Sequence, residues 1–506
     1  MRILLSIFSF IISNALIAQF SYFNTTYNPN NTWSIGNSII EYNGSYYLTG
    51  GTSDSIAGYQ SIFIANIDAE GGINFWKTYG GYPYAYWPGY TNALISTTSI
   101  GELVLAGARS SSGSSATGTY YNFQTNGDTN CTVQYPDTNY TGFTIFHQCK
   151  QTSDGGFIFV GKMTVEQYNS DILLIKTDHA GNEEWRQHYG KPITWAVDYG
   201  YNVLETADSG YLIGYYFYIA GQEETGNPYM LKVDKSGNYE WEVNLGGPYE
   251  DLLAVSCHSS DGNYMCAASI TDSVAGDYLF TRVHITKIST DGSIIWSKII
   301  GDFELFNKVY GIYQDHENGY VLCGVRYEAF ENPSYFDHSR GWICKIDEDG
   351  DSIWWREYKH FTGPEWHMNR LRDMHLTSDG GYIAVGRAET LWETETWVIK
   401  VDSFGCDTPD CQTVRVEELS NSQDEELYIY PNPASSEIQI VIRYSISDTR
   451  YSILIYDLLG RKQEELIVPE GQTHYKVDVS TYPTGIYIAV LKNERYILEK
   501  GKFVVR

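Results

Sequence analysis

One pattern recurs along most of this chain, and its spacing leaves few folds open. From Asp154 to Trp185 the text reads as a tight turn, a short apolar strand, a polar loop, a second strand, a second turn and a tryptophan. Counterparts follow at intervals of roughly fifty-five residues, about seven times over, and self-similarity of that length marks propellers and solenoids. The first turn and its strand recur as Asn43–Gly51, Gly101–Gly107, Asp154–Gly161, Asp208–Gly214, Asp261–Ala267, Glu317–Gly324 and Asp379–Gly386. The second turn and its strand recur as Ala65–Trp76, Ile175–Trp185, Leu231–Trp241, Thr286–Trp296 and Cys344–Trp354. A degenerate copy spans Tyr121–Asp128, and the last, Ile399–Gly405, has no tryptophan after it.

Asp-Gly and Asn-Gly supply the positive φ angles of hairpin turns, so each copy predicts four short antiparallel strands, the unit of a propeller blade. The expectation is an all-β chain with a seven-bladed β-propeller over residues 19–411. Its blades fall near 32–81, 82–137, 138–192, 193–248, 249–302, 303–361 and 362–411. The seventh copy lacks its outer strand, and Phe20–Tyr27 resembles the outer-strand text Phe75–Gly81. The amino-terminal strand is therefore expected to complete the last blade, since an open ring would expose unpaired edges. A solenoid would want distinct polar caps at both ends, which the sequence lacks. Trp76, Trp185, Trp241, Trp296 and Trp354 read as structural wedges between blades.

The net charge of −28 argues against nucleic acid, which needs a basic footprint. Eight cysteines in 506 residues are too few for a disulfide-built scaffold, and none has metal-site spacing, so no metal and no cofactor is expected. Cys406 and Cys411 flank a short loop that a disulfide could close. Cys323 with Cys344, and Cys257 with Cys266, fall on neighbouring predicted strands, as bridges or as buried thiols.

The Asp/Asn-Gly turns make one face of the disc short and uniform, so binding is expected on the opposite face, where connections vary. Those connections read as aromatic loops: Tyr84, Trp87 and Tyr90 in one, Trp195 and Tyr199 in another, Tyr335 and His338 in a third, Trp366 and Arg370 in a fourth. Flat apolar rings beside polar groups suit a glycan or a peptide. The reading is a non-catalytic glycan- or protein-binding or adhesion module. The alternative is an extracellular polysaccharide hydrolase, with Asp198, Asp251, Asp302 and Asp337 as carboxylates on that face. No nucleophile elbow, P-loop or HExxH is present, and no arginine triad with a Tyr/Glu pair is evident.

The second-turn text, as in Asp234–Trp241, is similar to the tryptophan-docking repeat of quinoprotein dehydrogenases. Its Asp-to-Gly interval is one residue shorter and no adjacent cysteine pair accompanies it, so the likeness implies blade packing and no quinone. Ser289–Trp296 resembles a sialidase Asp-box but departs from its Asp–Gly spacing.

The two ends of the chain speak of export. Met1-Arg2, the apolar run Ile3–Ile12, and small residues Ala15 and Ala18 predict a signal peptide over residues 1–18. Residues 412–426 read as an acidic linker. Alternating apolar residues from about 427 to 506 then predict a small antiparallel, immunoglobulin-like β-sandwich. This stretch carries Tyr430-Pro431-Asn432-Pro433, Asp457 with Gly460 and Arg461, Gly485 with Tyr487, and a Lys500–Val504 end. It resembles the type A C-terminal sorting domain of the type IX secretion system, which implies handling by the outer-membrane type IX machinery and a secreted or outer-surface destination. The loop from Cys406 to Cys411 also looks like the junction that joins propellers to this domain.

Overall fold

A computed structural model describes residues 20–411 and 427–506, apart from 54–59, 90–95, 98–100, 112–114, 138–141, 167–168, 276–277, 302–305, 318, 329–337, 363–365, 410, 443–450, 458–460, 470–471 and 493–496. The expected signal peptide and linker, and Tyr90, Tyr335 and Gly460, lie outside the described residues. The chain divides into two compact units, Met1–Thr413 and Val414–Arg506.

The described elements of the first unit are all strands. β1 (Phe23–Tyr27) precedes a first group, β2 (Ser34–Tyr42), β3 (Ser45–Ser53), β4 (Gln60–Ile67) and β5 (Ile73–Gly80). The second group is β6 (Tyr84–Pro88), β7 (Ser96–Thr97), β8 (Leu103–Ser111), β9 (Ala116–Phe123) and β10 (Thr129–Gln134). The third is β11 (Thr144–Gln151), β12 (Phe157–Glu166), β13 (Asn169–Thr177) and β14 (Glu183–Tyr189). Then come β15 (Ala196–Glu205), β16 (Tyr211–Ile219), β17 (Gln222–Val233) and β18 (Tyr239–Asn244), followed by β19 (Ala254–His258), β20 (Tyr264–Ala275), β21 (Tyr278–Ile288) and β22 (Ile294–Ile300). The last two groups are β23 (Phe306–Gln314), β24 (Tyr320–Glu328), β25 (His338–Ile346) and β26 (Ser352–Tyr358), then β27 (His367–Leu376), β28 (Tyr382–Thr390) and β29 (Thr394–Val401). Within each group consecutive strands pair antiparallel; in the second, β6 and β7 both pair β8. β29 finds its outer neighbour in β1, Phe23 opposite Lys400 and Tyr27 opposite Thr396. From the third group on, first strands of successive groups touch; β6 touches β3 and β4 of the first group, and β27 touches β2. This is a propeller-type arrangement.

Many of the turns are built by their own aspartate. In the second turn of a group the carboxylate accepts two backbone N–H groups, as Asp178 does from Ala180 (2.8 Å) and Asn182 (2.9 Å), and Asp234 from Ser236 and Asn238 (2.8 Å each). In the first turn Asp208 Oδ1 accepts the Gly210 N–H (3.0 Å). A lysine on the third strand ties the two turns together. Lys232, 1% exposed, reaches Asp208 (3.0 Å) and Glu240 (2.9 Å), and Lys176 reaches Asp154 and Glu184 in the same way. Lys345 and Lys400 repeat the link to Asp315 and Asp379. Burial opposes the charge of Lys232, but its two carboxylates outweigh that and hold it above its ordinary pKa. The first two groups place Asn66 and Asn122 here, and these donate to Tyr46 O and to Glu102.

Between groups, an outer-strand aromatic lies on the glycine of the next group's second turn. A β-carbon at Gly237 would fall 3.0 Å from the Trp185 ring, at Gly292 2.8 Å from Trp241, at Gly350 2.6 Å from Trp296 and at Gly405 2.7 Å from Trp354. Only glycine leaves room, and its φ near +80° is one that other residues avoid. Trp76 departs from the expected wedge role. Phe75 stands on Gly127 instead, while Trp76 stacks within its own group on Phe63 at 4.1 Å. The reason is spacing: the wedge lies four residues after the turn glycine, and from Gly71 that position is Phe75. Four residues beyond, a tyrosine often donates to the same turn's carbonyl: Tyr189 to Gly237 O, Tyr358 to Gly405 O and, from β1, Tyr27 to Gly71 O (2.6–2.7 Å). Cys406 and Cys411 are bridged; Cys257, Cys266, Cys323 and Cys344 are buried free thiols.

The second unit has two sheets. β30 (Tyr428–Tyr430), β31 (Glu437–Val441) and β34 (His474–Asp478) form one; β32 (Tyr451–Asp457), β33 (Lys462–Val468), β35 (Gly485–Lys492) and β36 (Ile497–Val505) form the other. Ile438, Ile440, Ile453, Ile455, Val477 and Phe503, each at most 1% exposed, belong to its core.

Candidate functional site

Several segments that read as aromatic loops are parts of strands. Tyr84 and Trp87 lie in β6, Tyr199 in β15, His338 at the start of β25, and Arg370 in β27. In β15 and β27 a bulge hid the strand. On β2, β11, β15, β23 and β27 the register slips by one residue, at Asn37, His147, Tyr201, Tyr310 and Arg372. A bulge breaks the alternation that identifies a strand and re-aims one side chain. Three of these five residues, Asn37, His147 and Arg372, line a single cleft of 310 Å³.

The walls of that cleft are apolar: Trp33, Ile35, Trp87, Pro88, Phe143 and Ile145, with Gln60 as a further polar group. Arg372 Nη1 donates to Asn37 Oδ1 (3.3 Å), which joins two of the bulge residues across the β27–β2 boundary. His147 Nδ1 lies 2.7 Å from Gly200 O, and a carbonyl only accepts, so Nδ1 carries the proton. Burial then pushes the His147 pKa down to about 4, and the ring stays neutral, stacked at 4.8 Å on Tyr201.

The sequence-predicted residues scatter around this centre. Trp87 is in the cleft wall. Tyr199 lies deeper, with Lys162 Nζ 4.2 Å from its ring centre, and Tyr84 packs under the Arg109 guanidinium at 3.8 Å. Trp195 stays 51% exposed with a φ of 68°, its N–H donated to Asn169, and Trp366 is half-buried. His338 departs from the expectation of a ligand-facing ring. It is buried where β25 meets β27, its ring centre 4.3 Å from that of His367.

Asp198 and Asp251 are backbone caps. Asp198 accepts the Lys191 N–H at 3.2 Å, and Asp251 accepts those of Gly247 and Thr271. Asn369 does the same work in the last group, accepting the His360 and Phe361 N–H groups. Burial raises Asp198 to about 7 and Asp251 to about 6, against 3.8 ordinarily.

Beside the cleft the structure assembles a feature that the sequence reading did not find. Arg370 of β27 stands directly opposite Arg387 of β28, and Arg372 is the bulge residue next along. Signalling this would have required the strand register, which Arg-x-Arg alone does not give.

In the second unit the motif residues act on one another. Asn432 donates to Lys502 O and accepts the Val504 N–H (2.9 Å each), Asp457 accepts both Nε and the backbone N–H of Arg461, and Tyr487 donates to Pro483 O. Asp457, Arg461, Gly485 and Tyr487 line one hollow. Residues 428–506 match the family model described as the secretion system C-terminal sorting domain. The second unit is a type IX sorting domain. A chain carrying this sorting domain is an export substrate, secreted or attached at the outer surface, and it engages the type IX secretion machinery.

No curated protein matches the chain significantly. Solved structures with some likeness include a protein of unknown function from Dyadobacter fermentans (8% identity, 74% of this chain and 97% of that one, TM-score 0.42). Others are the β-propeller domain of the Trilobed protease from Pyrococcus furiosus (8%, 72% and 93%, 0.40) and an α-L-arabinanase from Penicillium chrysogenum complexed with arabinobiose (12%, 61% and 92%, 0.40). At such distances none of them bears on activity.

Proposed function

We propose that this exported protein is a non-catalytic binding module that holds a saccharide in the cleft between Trp33 and Trp87. In this reading residues 19–411 form one closed seven-bladed propeller, residues 1–18 are a signal peptide, residues 412–426 are a linker, and the sorting domain is an immunoglobulin-like sandwich. The pairing of β1 with β29 supports closure of the ring. The observation that carries the binding reading is the composition of the cleft. Two indoles and further apolar groups enclose it, and Asn37, Gln60, His147 and Arg372 supply polar groups, the combination that orients a sugar ring on a flat apolar platform. Among the described lining residues no carboxylate pair faces the cleft, so binding is proposed ahead of two-carboxylate hydrolysis.

The test is a glycan array followed by titration of the best binder against the full chain and the variants Trp33→Ala and Trp87→Ala. Loss of one platform ring is expected to cost about 2 kcal/mol, roughly thirtyfold in affinity. Unchanged affinity in both variants, with folding intact, would overturn the assignment.

A further inference from the structure

The cleft shares one wall residue, Arg372, with a cluster in which, among the described residues, Arg370 and Arg387 have one carboxylate between them. Arg370 and Arg387 form a cross-strand pair, and like charges directly opposite each other destabilise a sheet. Burial lowers Arg387 to about 10, and repulsion from Arg370 and Arg372 adds to it. The carboxylate beside Arg387 is Glu389, whose Oε2 lies 3.4 Å from Arg387 Nε. The Nε atoms of Arg370 and Arg387 are buried without a hydrogen-bond partner. Further neighbours add positive charge or an aromatic surface: Arg370 lies 5.2 Å from the Tyr327 ring centre, and Lys308 and Tyr310 also act on Tyr327.

Several other arginines have carboxylate partners. Arg326 and Arg340 share Glu357, Arg282 is paired with Asp272, and Arg186 with Glu183 and Asp137. A protein of net charge −28 has carboxylates to place beside every guanidinium. Arg370 is half-buried with no carboxylate partner among the described residues, and a planar guanidinium so placed is a seat for a carboxylate or a sulfate, which it grips through two parallel N–H donors.

We propose that Arg370, Arg372 and Arg387 form an anion seat beside the cleft, and that it takes the carboxylate or sulfate of an acidic saccharide. The specificity follows from Arg372 serving both places: a sugar lying on Trp33 and Trp87 brings an acidic substituent against the seat. The proposal rests on the saccharide reading of the cleft. It also limits the ligand, because the surrounding negative field repels dense polyanions and favours a chain with few charges.

The experiment is calorimetric titration of the full chain with sodium glucuronate, sodium sulfate and glucose, repeated on Arg370→Gln/Arg387→Gln and on Trp87→Ala. Glucuronate or sulfate is expected to bind the parent chain, and the double arginine variant to weaken that binding by about tenfold or more. Whichever of the two anions binds tighter identifies the group the seat prefers. No heat from either anion, or equal binding by the double variant, overturns the seat. Should the double variant fail to fold, Arg372→Gln is titrated in its place with the same expectation. The two readings separate cleanly. Sulfate binding that survives Trp87→Ala in a chain that binds no saccharide upholds the seat and sinks the cleft; saccharide binding indifferent to acidic substituents does the reverse.

Discussion

At the scale of single residues, identical positions in different groups solve one problem with different chemistry. The connection entering β15 is capped by Asp198, and the one entering β27 by Asn369. The amide can do this uncharged; the carboxylate must either shed its charge or bear it buried. Burial raises Asp198 to about 7 and Asp251 to about 6, so between the ordinary 3.8 and those values the folded chain binds more protons than the unfolded one. Stability therefore falls as pH rises through that window, and the full cost is present above about 7. Asp198→Asn is expected to raise stability at pH 8 by about 1–3 kcal/mol and to leave it nearly unchanged near pH 4, read by denaturant unfolding at both pH values. A variant no more stable than the parent at pH 8 would mean that the carboxylate is not buried as described. The turn aspartates run the opposite way. Asp154 and Asp208 are held near 2, where lysine and backbone donors outweigh burial, and their contribution is lost only in strong acid.

At the scale of elements, β1 is the strand that joins the two ends of the first unit. It covers the free edge of β29, and Phe23 and Tyr27 rest on Gly71 as outer-strand aromatics rest elsewhere. Deleting residues 20–27 would leave that edge open, and open edges pair with other chains. The deletion is expected to give concentration-dependent oligomers by light scattering; a monodisperse monomer of unchanged melting temperature would refute the role. This strand was legible because Phe20–Tyr27 repeats an outer-strand text. The turns were legible too, since Asp-Gly states its own backbone angles. The inner strands were not: their bulges break the alternation, and polar residues facing a cleft look like a loop. The arginine cluster was hidden for a further reason, because Arg387 meets Arg370 only through the pairing of β27 with β28. Trp76 misled because a tryptophan one place out of step still looks like a member of the series.

At the scale of the molecule, the propeller-type body and the sorting domain have separate cores and separate tasks. Calorimetry of the full chain is expected to resolve two transitions, the smaller matching that of residues 427–506 alone; one transition, or a fragment without cooperative melting, would show that the sorting domain depends on its neighbour. The address was legible because its motifs are short, local and in order. The cleft was not, because its lining is brought together from β2, β6, β11 and β27.

The five bulges carry a consequence for how such a chain can change. Asn37, His147, Tyr201, Tyr310 and Arg372 each occupy the extra place in their strand, which the ladder of backbone hydrogen bonds passes over. Mutation at Asn37, His147 or Arg372 alters the lining of the cleft at a place that strand pairing skips. A lineage could thus rewrite the cleft at three letters, keep the strand pairing, and keep the address that delivers it.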